Sequence, residues 1–137
     1  MRLNQASDFA LRIMMLLAAR DQTMTVDEIS RHLRLVKSHV MKIVAKLAGA
    51  ELLQSQRGRN GGVGLARPAT SISVGEIVRA IEADFATVEC MREEKSHCVF
   101  LPGCTLRQTM NKARTAFLDV LDAQDLQSIA MSPANLA

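Results

Sequence analysis

The chain has 137 residues, 48% of them hydrophobic and 23% charged, with a formal net charge of +3 at pH 7. That length fits one domain, or a small domain with an appended helical element, and the hydrophobic share is enough for a core. The most apolar run, Ile13 to Ala19, is far short of the roughly 20 residues of a transmembrane helix, and Met1-Arg2-Leu3 does not begin an export signal. The expectation is therefore a cytoplasmic protein in a compartment that keeps thiols reduced.

Aromatic residues make up 3%, with no Trp or Tyr, which disfavours a stacking platform for single strands and favours a helical core of Leu, Ile, Met and Ala. The charge is unevenly spread. Residues 1–67 hold 11 Lys and Arg against 5 Asp and Glu, and residues 68–137 hold 6 against 9. The first half is built to meet a polyanion and the second is not.

In chain order, Asn4 or Ser7 can cap a first helix in which Phe9, Ile13, Leu16 and Leu17 recur at helical spacing up to Arg20. Asp8 falls in its first turn, where a carboxylate complements the helix dipole. Thr25-Val-Asp-Glu28 is a capping box opening a short helix to about Leu33. A second helix runs from about Lys37 to Ala50, with Val40, Ile43, Val44 and Leu47 inside and Lys37, His39, Lys42 and Lys46 largely off that stripe. Two helices joined by Arg34-Leu35-Val36 meet the requirement of a helix-turn-helix, whose second helix presents its N-terminal side chains to the major groove.

Residues 51–56 and 63–66 read as two short strands around Arg57-Gly-Arg-Asn-Gly-Gly62. The glycines allow a tight turn, and arginines at its tip can enter a minor groove or clamp phosphate. A hairpin directly after a helix-turn-helix is a winged helix. A nucleotide phosphate loop is disfavoured, since no helix follows these glycines and GK[ST] is absent. Pro68 ends the wing, and a second capping box, Ser73-Val-Gly-Glu76, starts a helix to about Ala83. From Thr105 to about Ala123 runs a long helix with Leu106, Met110, Ala113, Phe117 and Leu121 on one stripe and Leu118 beside it. Its apolar face is wider than one small domain buries, so pairing with its copy in a two-fold dimer is expected, setting two heads on a palindromic site. A last short helix over 125–131 and a frayed tail over 132–137 complete the chain.

Between those helices lies CMREEKSHCVFLPGC, which holds all three cysteines, Cys90, Cys98 and Cys104, at a C-x7-C-x5-C spacing, with Glu89, Glu93 and Glu94 making it acidic. Three thiols in one segment point to metal or cluster ligation. Disulfide pairing would strand one of them, and a zinc ion or a cubic iron–sulfur cluster needs a fourth ligand from elsewhere. Structural zinc held by the three cysteines with His97 or Asp8 satisfies the same residues. A catalytic role for Cys98 with its neighbour His97 as base is disfavoured, because adjacent residues rarely align that way and no oxyanion motif is present; the chain is not expected to be an enzyme.

The opening MRLNQASDFALR, the helix-turn-helix, the wing RGRNGG, the segment ISVGEIVRAIE, and VEC-x7-C-x5-C followed by LRQTMNKARTAFLDVLD resemble, over nearly the whole chain, the Rrf-two superfamily of bacterial winged-helix regulators. Within it the likeness is to the nitric-oxide-sensing repressors called NsrR. The resemblance implies a mainly α protein: a winged helix-turn-helix DNA-binding domain over 1–83 with a small β-hairpin wing, a cluster-binding loop over 84–104, and a dimerisation helix and tail over 105–137. It implies a homodimeric repressor that loses its double-stranded operator when nitric oxide reacts with an iron–sulfur cluster, expected to be 4Fe-4S with 2Fe-2S as the alternative. Cys90, Cys98 and Cys104 would ligate it, with Asp8 from the partner subunit as fourth ligand. Expected DNA contacts are Arg2, Lys37, Ser38, His39, Lys42, Arg57, Arg59 and Asn60.

Two-iron cluster-assembly regulators of the superfamily carry His where this chain has Arg107. Iron-responsive regulators share the cysteine spacing and tend to have Asn in place of Asp8, which leaves iron sensing as the alternative signal. Members usually have Gly in the turn and Ser capping the recognition helix, where this chain has Arg34 and Val36. An uncapped start bearing Lys37 is unfavourable by roughly 1 kcal/mol.

Overall fold

The computed structural model describes residues 2–92 and 97–131. The acidic pair Glu93 and Glu94 and the tail expected to fray, Ser132–Ala137, lie outside the described residues.

Helix α1 (Gln5–Arg20) is the centre of the fold. Asn4 caps it: its backbone is extended and its Oδ1 accepts the Ser7 amide at 2.8 Å. Ser7, the other candidate cap, is one turn inside the helix and fully buried. Ala10, Ile13, Met14 and Leu17 form an i, i+3, i+4, i+7 stripe, and buried Leu16 and Ala18 widen it. An apolar face that broad is covered from several directions, by α2 (Val26–Leu33), α3 (Lys37–Gly49), α4 (Val74–Ile81), α6 (Leu126–Ile129) and the wing.

The capping box forms as the sequence dictates. Glu28 accepts the Thr25 amide at 2.7 Å, Thr25 Oγ1 accepts the Glu28 amide at 3.2 Å, and α2 runs Val26–Leu33. The Thr25 amide first, and the Thr25 hydroxyl after it, hold the Glu28 carboxyl below its ordinary range. Arg34 ends α2 in the left-handed region (φ 53°), and α3 (Lys37–Gly49) starts at Val36 without a side-chain cap.

Strands β1 (Leu53–Gln56) and β2 (Gly62–Leu65) pair antiparallel, Leu53 opposite Leu65 and Gln56 opposite Gly62. Met24, between α1 and α2, extends the hairpin: its amide donates to Val63 O at 2.9 Å, and its carbonyl accepts the Val63 amide at 2.8 Å. This approach explains Gly62, where a Cβ would stand 2.6 Å from the Met24 carbonyl oxygen. The wing is thus bonded to the body of the head.

A second capping box, Ser73 with Glu76, opens α4 (Val74–Ile81), whose Ile77, Val78 and Ile81 are buried. The helix stops two residues before the expected Ala83 because Glu82 turns to extended backbone. Its carboxylate takes the Asn4 backbone amide at 2.7 Å and the Asn4 side-chain amide at 3.0 Å, tying the end of α4 to the start of α1. The cysteine segment follows, with one 3-10 turn at Glu89–Met91, and leads into α5 (Thr105–Asp122).

No residue of α5 is buried, and Leu106 and Val120 are 60% and 69% exposed. The chain then returns to the head. Leu126 N donates to Ile72 O at 2.8 Å and Val74 N to Gln124 O at 2.9 Å, so that α6 (Leu126–Ile129) brings the fully buried Leu126 into the core beside α1. Among the described residues no helix is long and apolar enough to cross a membrane.

Candidate functional site

The helix-turn-helix presents α3 with its buried stripe Val40, Ile43, Val44 and Leu47 inward. Lys37, Ser38, His39 and Lys42 are all exposed, as the spacing predicts. Two of them are held by neighbours. Lys37 Nζ is 2.8 Å from Asp27 Oδ1 on α2, an exposed pair of small worth that relieves the like-sign contact of an ammonium with the α3 N-terminus. His39 stacks on Phe9 of α1, ring centroids 6.4 Å apart and planes 27° apart, so its ring lies toward α1. Phe9 and His39 also line a cleft of about 240 Å³ between α1 and α3, with Gln5, Lys42 and Lys46 around it.

Arg57, Arg59 and Asn60 are exposed at the tip of the wing. The tip is shaped by a Gly61 amide donating to Gly58 O at 2.9 Å and by Thr23 Oγ1 donating to Asn60 O at 3.1 Å. The second of these bonds anchors the tip to the α1–α2 loop. Arg2 is exposed and lines a cleft of about 230 Å³ with Glu82, Phe85, Arg114 and Phe117.

Cys90, Cys98 and Cys104 are half-buried thiols, Cys90 in the 3-10 turn and Cys104 at the cap of α5. Among the described residues no group of three or more His, Cys, Asp and Glu side chains converges as a metal cage, so the three cysteines share one segment without converging together on one site. The donor type nevertheless suits an iron–sulfur centre, since thiolates are the ligands such centres take, and these three would need one further ligand to complete a set of four. Asp8 Oδ2 is 2.6 Å from Arg12 Nη2, an i,i+4 pair about half exposed on each side, and Arg12 also lies over the Phe9 ring at 5.8 Å. Residue spacing alone could have paired Asp8 with Arg12, an i,i+4 pair, whereas the Lys37–Asp27 pair crosses from α3 to α2. The His39–Phe9 stack and the Met24 bridge depend on tertiary packing and carry no local signal.

Residues 3–132 match the family model Rrf2, described as iron-dependent transcriptional regulator. The chain belongs to the Rrf2 family. Curated relatives narrow the group. The HTH-type transcriptional regulator NsrR of Bacillus licheniformis is 37% identical over 134 residues, covering 96% of this chain and 94% of its own. That of Oceanobacillus iheyensis is 36% identical over 138 residues, covering 99% and 94%. This Rrf2 protein is thus of the NsrR type, a DNA-binding transcriptional regulator and not an enzyme. Solved structures agree on the fold: CymR, the global cysteine regulator of B. subtilis, superposes with a TM-score of 0.76 at 25% identity, covering 95% of this chain and 96% of that one. A transcriptional regulator from Listeria innocua gives 0.77 at 26%, covering 94% and 85%.

Proposed function

We propose that this Rrf2 protein is a homodimeric repressor that binds a palindromic DNA operator through α3 and the wing, and that releases it when an iron–sulfur cluster on the cysteine segment reacts with nitric oxide. The observation that carries the reading is the position of the three thiols. They lie between α4, which packs on α1 of the head, and α5, an 18-residue helix with no buried residue. A helix so uncovered calls for a partner, and a second copy related by a two-fold axis would cover it and set two heads at one spacing. Cys90, Cys98 and Cys104 would hold the cluster as thiolates, and Asp8 of the partner subunit would supply a harder oxygen donor. The cluster, 4Fe-4S in this reading, supplies the iron that nitric oxide attacks. Without that ligation the Asp8 carboxylate would remain with Arg12, its partner at 2.6 Å, and the α1 of one subunit would not be tied to the cysteine segment of the other. The two heads then lose their fixed separation, and an operator with fixed half-site spacing fits them poorly.

The test is an anaerobic titration of the purified protein with nitric oxide, and separately with an iron chelator, while operator binding and the visible spectrum are followed. Brown protein that releases DNA on adding nitric oxide supports the reading. Release by chelator alone makes iron the signal. A colourless protein that carries zinc and still binds DNA makes the cysteines structural.

A further inference from the structure

Helix α3 carries a large apolar side chain where a DNA-reading helix must face its target. At 100° per residue, Ser38, Met41, Lys42 and Ala45 stand at i, i+3, i+4 and i+7, and all four are exposed. This row is opposite the buried stripe Val40, Ile43, Val44 and Leu47. The flanking candidates are drawn aside, Lys37 by Asp27 and His39 by Phe9. Met41 therefore sits on the face opposite the core, on the side of that row toward Lys37, and it is 54% exposed.

We propose that Met41 is a specificity-determining residue that reads the 5-methyl group of a thymine in the major groove. The inference rests on the DNA-binding reading of α3. Of the groups that base pairs present in that groove, the thymine methyl is the apolar one, and a flexible, polarisable thioether is suited to pack on it. Lys42 beside it supplies charge for the phosphate backbone, and Ser38 one turn earlier supplies a hydroxyl for a base edge. Most other exposed large apolar side chains, Val99, Phe100, Leu106, Val120 and Met131, belong to the cysteine segment, α5 and the C-terminal end. Val36, 62% exposed, is at the cap of α3 and off the row that holds Met41.

The test uses full-length protein purified anaerobically and a duplex selected by it from a randomised pool. Each thymine is replaced singly by uracil, which removes the methyl and keeps the Watson–Crick pairing. Affinities at one fixed salt concentration are compared for the parent, Met41→Gln and Met41→Leu. At one thymine in each half-site, uracil should weaken the parent roughly fourfold, the worth of burying one methyl group. Met41→Gln should bind the thymine and uracil duplexes alike, and Met41→Leu should keep the discrimination. The substitutions are at an exposed position, and the uracil series on the parent does not depend on them. A parent that distinguishes no thymine from uracil overturns the proposal, as does a Met41→Gln protein with unchanged discrimination. If the parent enriches no duplex from the pool, the DNA-binding reading of α3 fails and this proposal with it.

Discussion

Arg79 of α4 and Asp122 of α5 form a bidentate ion pair over the backbone of Gly75. Arg79 Nη2 donates to Asp122 Oδ2 at 2.7 Å, and Arg79 Nη1 donates to Asp122 Oδ1. A Cβ on Gly75 would overlap Asp122 Oδ1, so this glycine makes room for the pair. Alanine there should gain helix propensity and displace Asp122, and the two effects oppose each other. In an Asp122→Ala background the remaining close neighbour is the flexible end of Arg79, 2.7 Å from the added Cβ and free to shift, so Gly75→Ala should then stabilise, by no more than the roughly 0.5–1 kcal/mol of a mid-helix glycine because Gly75 lies in the first turn. Urea unfolding of the two single variants and the double variant measures this; equal effects of Gly75→Ala in both backgrounds would show that Asp122 is not what the glycine accommodates.

Glu76 joins the wing to α4. It accepts the Ser73 amide at 2.8 Å and Arg67 Nη2 at 2.7 Å, and Arg67 lies two residues beyond β2. The Ser73 amide first, and Arg67 after it, hold its carboxyl below the ordinary 4.5. A carboxylate depressed on folding stabilises the native state above its unfolded pKa, and that contribution disappears as pH falls through the folded value. Unfolding free energy should therefore decline as pH drops below about 4.5. Glu76→Gln should lower stability at pH 7 and flatten this decline. Its side chain is 43% exposed, so solvent screening reduces the effect. An unchanged acid limb in the Glu76→Gln protein would assign the decline to other carboxylates.

Arg57 and Arg59 at the wing tip take part in none of the ion pairs found among the described residues, so both are available to phosphate or a minor groove. Arg57→Ala with Arg59→Ala should weaken binding to most duplexes alike and reduce the slope of log K against log salt by about 1 for each phosphate no longer neutralised. The fold should not change, because the strands are fixed by the β1–β2 ladder and the Met24 bridge. Fluorescence anisotropy at several salt concentrations is the measurement, and an unaltered slope would remove the wing from the interface.

The elements that local chemistry controls are legible in the sequence. Thr25 with Glu28 and Ser73 with Glu76 mark the starts of α2 and α4 because a capping box needs only its own four residues. The α3 stripe and the α5 stripe are readable as periodicity. What cannot be read depends on distant chain. Glu82 ends α4 early because it serves Asn4, 78 residues away, and Leu126 enters the core through Ile72 although its own helix is four residues long. At the site, charge selects Lys37 and His39, which are engaged by Asp27 and Phe9, and it passes over Met41, because an apolar residue on a helix is ordinarily assigned to a core. The cysteines are legible as a group of donors but not as a geometry: spacing along a loop does not determine where three thiols converge.

Asp8 is the one carboxylate asked to do two things, and its two roles can be separated. It is paired with Arg12 at 2.6 Å, and both side chains are about half exposed, so the pair is worth at most ~1 kcal/mol and is readily surrendered to a better partner. In cluster-free protein, Asp8→Ala should therefore lower stability only slightly, by the pair together with the dipole contribution of roughly 0.3–1 kcal/mol. In protein loaded anaerobically, the same substitution should leave three cysteines to hold the cluster and open one iron to solvent or added thiol, so its visible spectrum and its rate of reaction with nitric oxide should both change. Asp8→Cys should give an all-thiolate shell that reacts more slowly. Arg12→Ala separates the two roles, since it removes the competing partner and leaves the carboxylate: cluster retention should match or exceed the parent. Spectra and stopped-flow rates for Asp8→Ala identical to the parent would confine Asp8 to its ion pair with Arg12, and the fourth ligand would then be sought at His97, Asp84 or Glu89.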